Sequence, residues 1–215
     1  MSALPAKSVT KIVVGDQNDT TMNTKTSKSK CQWLRTYFSK WTGQHTALPP
    51  SATFFDCVVG FVSAFVSITI LAVVHYQLLT SHDLVLFIAS FGATAVLVYG
   101  LPLSPLAQPR SVVGGQVISA IIGCAVRVLF GTNGVTFVAA ALAVSLALFV
   151  MQMTSTVHAP AGATALIVVI SNTSFPWSGF QYVLMPVLSG SLILVFLAVV
   201  INNLVPTRHY PCHWW

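Results

Sequence analysis

The sequence predicts an all-α, polytopic transmembrane helical bundle of five to six membrane segments. Three observations predict it. Of 215 residues, 55% are hydrophobic and 7% are charged, against about 25% charged in soluble domains. The charges are also unevenly placed. Seven of the ten Lys and Arg lie in the first 40 positions, and between Cys57 and Thr207 the only charged side chains are Asp83, Arg110 and Arg127. Finally, the apolar stretches fall at about 56–79, 84–101, 114–130, 135–152, 157–171 and 182–205. At 1.5 Å per residue, about 20 helical residues cross a hydrocarbon core of about 30 Å.

Taken in order, residues 1–50 form a polar, basic tail, rich in Ser, Thr and Lys and expected to be mostly disordered. A transit peptide has this bias, but Asp16 and Asp19 count against one. Within the tail, Trp33 to Trp41 alternates aromatic and polar residues and suits a membrane surface; a plain linker suits it equally. Residues 51–207 form the transmembrane domain, and 208–215 a short C-terminal tail. The first and last apolar segments are comfortable spans, and the third and fourth are adequate. The second and fifth are short and carry Gly and Pro, as full spans, broken helices or re-entrant pieces would. With the basic N-terminus on the cytosolic or equivalent side, six crossings place Arg110 and the C-terminal Arg208, His209 and His213 on that same side. Arg127, near the outer end of the third segment, is expected to snorkel. The specific membrane is left open, a plastid or other organelle included.

An internal repeat organises the domain. Gly92-Ala93-Thr94-Ala95 recurs 70 residues on as Gly162-Ala163-Thr164-Ala165, and positions 91–120 share nine identities with 161–190. The match aligns segments one to three with four to six. Three crossings per half force the halves into opposite orientations, a 3+3 inverted repeat. In such folds the site lies near the midplane, where short or broken helices meet. Close packing of small residues is the competing explanation.

The candidate site residues follow from this placement. His158-Ala159-Pro160-Ala161-Gly162 opens segment five, with Pro at the helix start and Gly allowing close approach. Free N–H groups from Ala161 to Thr164 would make that helix start attractive to a small anion, and His158 would donate a hydrogen bond or carry a proton. Gly92 and Thr94 are the repeat-related partners of Gly162 and Thr164. The loop Pro102-Leu103-Ser104-Pro105-Leu106-Ala107-Gln108-Pro109-Arg110 has three prolines, so regular helix is excluded and Gln108 and Arg110 belong at a mouth or vestibule. Gln116 faces the centre. Gly115, Ser119 and Gly123 form one small-residue stripe and Ala139, Ala143 and Ala147 another, both packing seams.

The four cysteines form no paired motif, and there is no metal-ligand spacing or enzyme signature, so neither a metal, a cofactor nor an enzymatic activity is expected. A Ser155–His158 pair lacks an orienting acid. The basic excess sits in a tail and not on a folded face, so nucleic acid is not a partner. The lipid bilayer is one, and a homo-oligomer is left open.

Three runs carry a family resemblance: Ser104-Pro-Leu-Ala-Gln-Pro-Arg110; Gly114-Gly115-Gln116 with Ser119-Ala120 and Gly123; and His158-Ala-Pro160 with Ala161-Gly-Ala-Thr-Ala-Leu166. Together they resemble the HPP family of integral membrane proteins, over about residues 56–205. Two positions depart from the family pattern. The naming His-Pro-Pro reads His158-Ala159-Pro160, and a Gly-Gly-His reads Gly114-Gly115-Gln116, which loses one proton carrier but keeps a hydrogen-bonding side chain. Plant members that the chain resembles are associated with nitrite transport across plastid membranes. The resemblance therefore implies a transporter or channel for a small inorganic anion, nitrite first. The expected substrate-binding residues are His158, Pro160, Gly162, Thr164, Gly92, Thr94, Gln108, Arg110 and Gln116. The alternatives are a non-transporting membrane scaffold or assembly protein, a transporter of another small solute and, last, an intramembrane enzyme.

Overall fold

The computed structural model describes residues 25–42, 51–78, 84–131, 136–171 and 180–215. Asp83, Asn133 and the two Asn-x-Ser/Thr sequons at Asn18 and Asn172 lie outside the described residues. The chain divides into two units, Met1–Ser51 and Ala52–Trp215.

In the first unit α1 spans Lys25–Ser39 and ends in a 3₁₀ turn, Lys40–Thr42. It is longer than the Trp33–Trp41 piece picked out from the aromatic pattern, because Thr and Ser to its N-terminal side alternate with Lys and break no helix.

The second unit holds α2 (Phe54–Leu78), α3 (Leu84–Gly100), α4 (Pro109–Phe130), α5 (Thr136–Met153), α6 (Ala161–Ile170) and α7 (Ser189–Asn203). A π-helical stretch, Val183–Leu188, leads into α7. Among the described residues there is no strand. Among the described residues, four stretches are long and apolar enough to cross a membrane: Phe54–His75, Pro109–Phe130, Thr136–Met153 and Val183–Asn203. The second and fifth segments are the short ones. Helix α6 has ten residues, about 15 Å of rise, or half a hydrocarbon core.

Two boundaries differ from the sequence reading. Helix α4 starts at Pro109, five residues before the expected 114, because Pro at the first helical position gives up no hydrogen bond. Arg110 therefore rides on α4, and the proline loop ends at Gln108. The sixth segment is interrupted: Met185 is extended (φ −140°, ψ 114°) just before Pro186. Proline has no N–H to continue the ladder and crowds the preceding turn.

Two hydrophobic groups hold the bundle. In one, α2, α3 and α7 bury Leu71, Phe91, Val98, Leu194 and Ala198. In the other, α4, α5 and α6 bury Cys124, Ala139, Ala143, Ala147, Ala165 and Val168. Each group takes its third helix from the other half of the sequence, since α7 packs beside α2 and α3 while α4 packs beside α5 and α6. Contacts of α3 with α6 and of α4 with α7 join the groups.

Hydrogen bonds place many ends on one face. Arg208 donates to the carbonyls of Tyr99 and Asp56 (both 3.1 Å), which joins the C-terminal tail to the end of α3 and the start of α2. Arg110 donates to Thr154 O (2.8 Å), which joins the start of α4 to the end of α5. Tyr210 Oη donates to Ala107 O (2.8 Å). The tail, the 101–108 loop and the 154–160 loop therefore share a face. Helices α2 and α4 start there and α3, α5 and α7 end there.

Both small-residue seams are buried contacts. A Cβ at Gly123 would strike Val168 Cγ1 and lie 2.7 Å from Ala165 O, and one at Gly115 would lie 2.8 Å from Thr156 O. A Cβ at Gly100 would meet nothing within 4 Å. Gly123→Val should therefore cost about 1–3 kcal/mol through overpacking against α6, while Gly100→Ala should be near neutral. Thermal unfolding of the purified protein in detergent checks this. Equal midpoints for Gly123→Val and wild type would contradict the packing.

Candidate functional site

Of the nine sequence-predicted site residues, five meet in one buried cluster: Thr94, Gln116, His158, Pro160 and Thr164. Ser90 completes it. All but Pro160 are polar side chains at or below 2% exposure. Ser90 lies one helical turn before Thr94, so both point from the same face of α3. At 1.5 Å per residue Thr94 lies about 9 Å in from Gly100 and Ser90 about 15 Å, with Gln116 about 10 Å in from Pro109. The cluster therefore lies about 9–15 Å in from these helix ends, a third to a half of the thickness of a hydrocarbon core.

The Gln116 carboxamide is the hub. Its Nε2 donates to Ser90 Oγ (3.0 Å) and to Thr94 Oγ1 (3.1 Å), and its Oε1 accepts from Thr164 Oγ1. The two repeat-related threonines thus bind opposite ends of one amide. Ser90 Oγ lies 2.7 Å from Thr164 Oγ1 and donates to Pro160 O (3.1 Å). Tyr182 Oη donates to Thr164 O (3.3 Å).

His158 has a forced tautomer. Its Nδ1 is 2.8 Å from Leu106 O, and a carbonyl only accepts, so Nδ1 carries a hydrogen. Its Nε2 is 2.9 Å from Thr94 Oγ1, which also lies 3.0 Å from Ser90 O. With Nε2 bare, the Thr94 hydroxyl donates to it. With Nε2 protonated, the imidazolium donates to Thr94, whose hydroxyl turns to Ser90 O. Both protonation states are satisfied without moving a heavy atom.

The remaining expected residues lie elsewhere. Gln108 is buried but ties the proline loop together: its Nε2 donates to Pro102 O and Ser104 O (2.9 Å each) and its Oε1 accepts from Cys212 N (2.8 Å). A mouth or vestibule position for Gln108 is thereby corrected. Arg110 holds the 154–160 loop from the exposed face. Gly92 and Gly162 are half-buried; a Cβ would meet nothing within 4 Å at Gly92 and only Val144 Cγ1, at 3.9 Å, at Gly162. Neither glycine is required by a close approach.

The expected anion cradle at the start of α6 is also corrected. The N–H groups of Ala161, Gly162 and Ala163 donate to the carbonyls of His158, Ala159 and Pro160 (3.0, 3.2 and 3.1 Å). A turn of tight helix ahead of α6 consumes the donors that the sequence left free. Arg127 is half-buried, and its Nη1 donates to Val168 O (2.8 Å) across the α4–α6 contact. Ser155 is an exposed turn residue at φ 54°, and the His158 nitrogens bond Leu106 and Thr94 instead. Among the described residues no three His, Cys, Asp or Glu come together to hold a metal.

Sequence reasoning missed Ser90 and His75. His75 is buried on α2, with Nε2 3.4 Å from Ser189 Oγ and its ring stacked on Phe91, the neighbour of Ser90. The helical spacing of Ser90 and Thr94 was an available signal. No sequence spacing links His75 to Ser189, 114 positions away.

The transmembrane-region model of the HPP family matches residues 49–211. Two transmembrane proteins of Dictyostelium discoideum are similar, one 44% identical over 180 residues and the other 41% over 181, each match covering 83% of this chain. The matches cover 57% and 63% of the relatives' own lengths, so the chain spans less than two thirds of either. No solved structure matches the chain at a significant level.

The hub role gives a stability prediction. Gln116→Leu removes one bond each from the hydroxyls of Ser90, Thr94 and Thr164, which keep their other partners, and each bond lost costs about 0.5–1.5 kcal/mol net. Its unfolding midpoint in detergent should fall well below that of Ser145→Ala, a change at an exposed hydroxyl that bonds only the Ala141 carbonyl of its own helix. Equal midpoints would remove the hub.

Proposed function

Because the chain belongs to the HPP family of transmembrane proteins, we propose that it is a membrane transporter or channel for a small inorganic anion, with nitrite the first solute to test. One observation carries this reading: the repeat-related Thr94 and Thr164 converge on Gln116, with His158 bonded to Thr94, about 9–15 Å in from the helix ends. Polar groups so deep in an apolar bundle are costly, and in transporters they mark solute and proton paths.

The anion's recognition differs from what a bare helix start would supply. An anion alone in a low-dielectric site is heavily penalised. A proton on His158 Nε2 supplies the compensating charge, and Thr94 accommodates it. The hydroxyls of Ser90, Thr94 and Thr164 and the Gln116 amide then replace lost water. Anion and proton move as a neutral pair. Arg110 adds positive charge at the entry face, where it raises the local anion concentration.

Nitrite uptake into proteoliposomes tests this. Uptake by wild type should rise as the outer solution is acidified. His158→Gln, which holds no proton, should lose that dependence and at least about tenfold of the rate, since one decade corresponds to about 1.4 kcal/mol. Arg110→Ala should slow entry with the pH dependence intact. Unchanged flux in both variants would remove the mechanism, and no flux of any small anion would remove the transport reading.

A second reading has its own support. Every hydrogen-bonding atom of the cluster is paired within the protein, and among the described residues the one buried side-chain atom without a partner is Asn202 Nδ2, outside it. A saturated, dry cluster also suits a non-transporting scaffold. Thr94→Cys and Thr164→Cys in liposomes separate the two. Reaction with a charged aqueous thiol reagent favours transport, and complete protection favours the scaffold.

A further inference from the structure

Helix α1 carries an unpartnered aromatic face. At 100° per residue, Trp33, Leu34, Tyr37, Phe38 and Trp41 fall within one 140° sector, and Gln32, Arg35, Thr36 and Ser39 lie opposite. The aromatic side is exposed, Trp33 by 65% and Trp41 by 69%. It is also continuous. Trp33 stacks on Tyr37 with ring centroids 5.6 Å apart, and Phe38 and Trp41 meet edge-on at 5.2 Å. The polar side is closed by Thr36 and Ser39 hydroxyls bonded to the carbonyls of Gln32 and Thr36 (2.9 Å each). Such a face is costly in water and rare on a soluble surface.

We propose that α1 is an interfacial anchor that lies flat in an anionic leaflet of the membrane in which the bundle sits. Two observations select this occupant. From Lys25 to Thr42 there are five cations, Lys25, Lys28, Lys30, Arg35 and Lys40, and no acid. This complements anionic headgroups, which attract Lys and Arg near such a surface. The residue types also match: Trp and Tyr, with an apolar body and a polar edge, concentrate at the boundary between headgroups and acyl chains. The tether supplies the location. Residues 43–53 separate the 3₁₀ turn from α2, and eleven residues reach at most about 40 Å when fully extended. That connector keeps α1 within reach of the leaflet from which α2 starts. One anchor of this kind binds weakly and reversibly when free, but the covalent link to a transmembrane helix makes the encounter intramolecular.

The test uses the full chain with its native cysteines replaced, reconstituted in nanodiscs of phosphatidylcholine with about 30% phosphatidylglycerol. Spin labels are placed at Leu34→Cys on the aromatic side and at Thr36→Cys on the polar side. The expected result is that the label at position 34 is relaxed more by oxygen than by a water-soluble nickel chelate, and the label at position 36 the reverse. Equal access of the chelate to both positions places the helix in water and overturns the proposal. Shielding of position 34 from both reagents means burial against protein and overturns it as well. The contrast should shrink in pure phosphatidylcholine discs; a contrast of the same size there overturns the anionic preference.

Discussion

Hydrocarbon offers no hydrogen bonds, so a polar group carried into the bilayer must find its partner inside the protein. Much of this structure answers that requirement. Gln116 is suited to the centre because a carboxamide presents two donors and an acceptor from one rigid plane. It serves Ser90 and Thr94 with its hydrogens and Thr164 with its oxygen. A neutral histidine at this position, as in the family pattern, offers one donor and one acceptor, so glutamine is the better saturated hub for three hydroxyls. The loss of a titratable ring at 116 leaves His158 as the group in the cluster that can hold a proton.

The state of His158 depends on parts of the chain far from it in sequence. Leu106 O fixes which ring nitrogen is protonated, and Leu106 sits in a short 3₁₀ turn of the proline loop, Pro105–Ala107, whose start is capped by the Ser104 hydroxyl. Gln108 braces that loop from within. The C-terminal tail braces it from outside, through Tyr210 Oη on Ala107 O and Cys212 N on Gln108 Oε1. Burial raises the Tyr210 phenol above its usual range, which keeps it a donor. Arg208 pins the tail to α2 and α3, with Asp56 Oδ1 3.8 Å away. The final residues thus act as a strap that preorganises a buried imidazole about 50 residues upstream.

The parts of this arrangement that follow from solvent and periodicity were legible in the sequence. The scarcity of charge identifies lipid as the solvent, and the shortest apolar run, 157–171, marks the shortest of these helices, α6. Thr94, Thr164, Gln116 and His158 were legible too, because a repeat and a polar side chain at depth each require an explanation. The rest depends on pairing across the fold. Whether the N–H groups before α6 are free is decided by a local turn that no pattern announces. That Arg127 bonds a carbonyl on another helix, Val168 O, has no signal in the local sequence. The break at Met185 lies inside an apolar run, where Pro186 alone hinted at it. Gln108 looks like a pore residue by type and is a loop brace by geometry.

The cluster also falls on a mechanical boundary. Ser90 and Thr94 belong to the group of α2, α3 and α7, whereas Gln116 and Thr164 belong to the group of α4, α5 and α6, together with the loop that carries His158 and Pro160. The bonds of Ser90 to Gln116, Thr164 and Pro160, and of Thr94 to Gln116 and His158, all cross between the groups. Rocking one group against the other would open all of these bonds, and would also draw Val112 of α4 from the core of α2, α3 and α7, and Val183 and Val187 from the core of α4, α5 and α6. Each such bond is worth about 0.5–1.5 kcal/mol net, and a polar solute entering the gap would restore most of them. A closed, self-satisfied cluster is therefore compatible with transport, because the groups that seal it in the absence of solute are those that would bind solute when it opens. The same exchange explains why α3 and α6 need not be long. Each is held along one side by its own core and presents the other to the seam, where length contributes little and hydrogen-bonding chemistry decides.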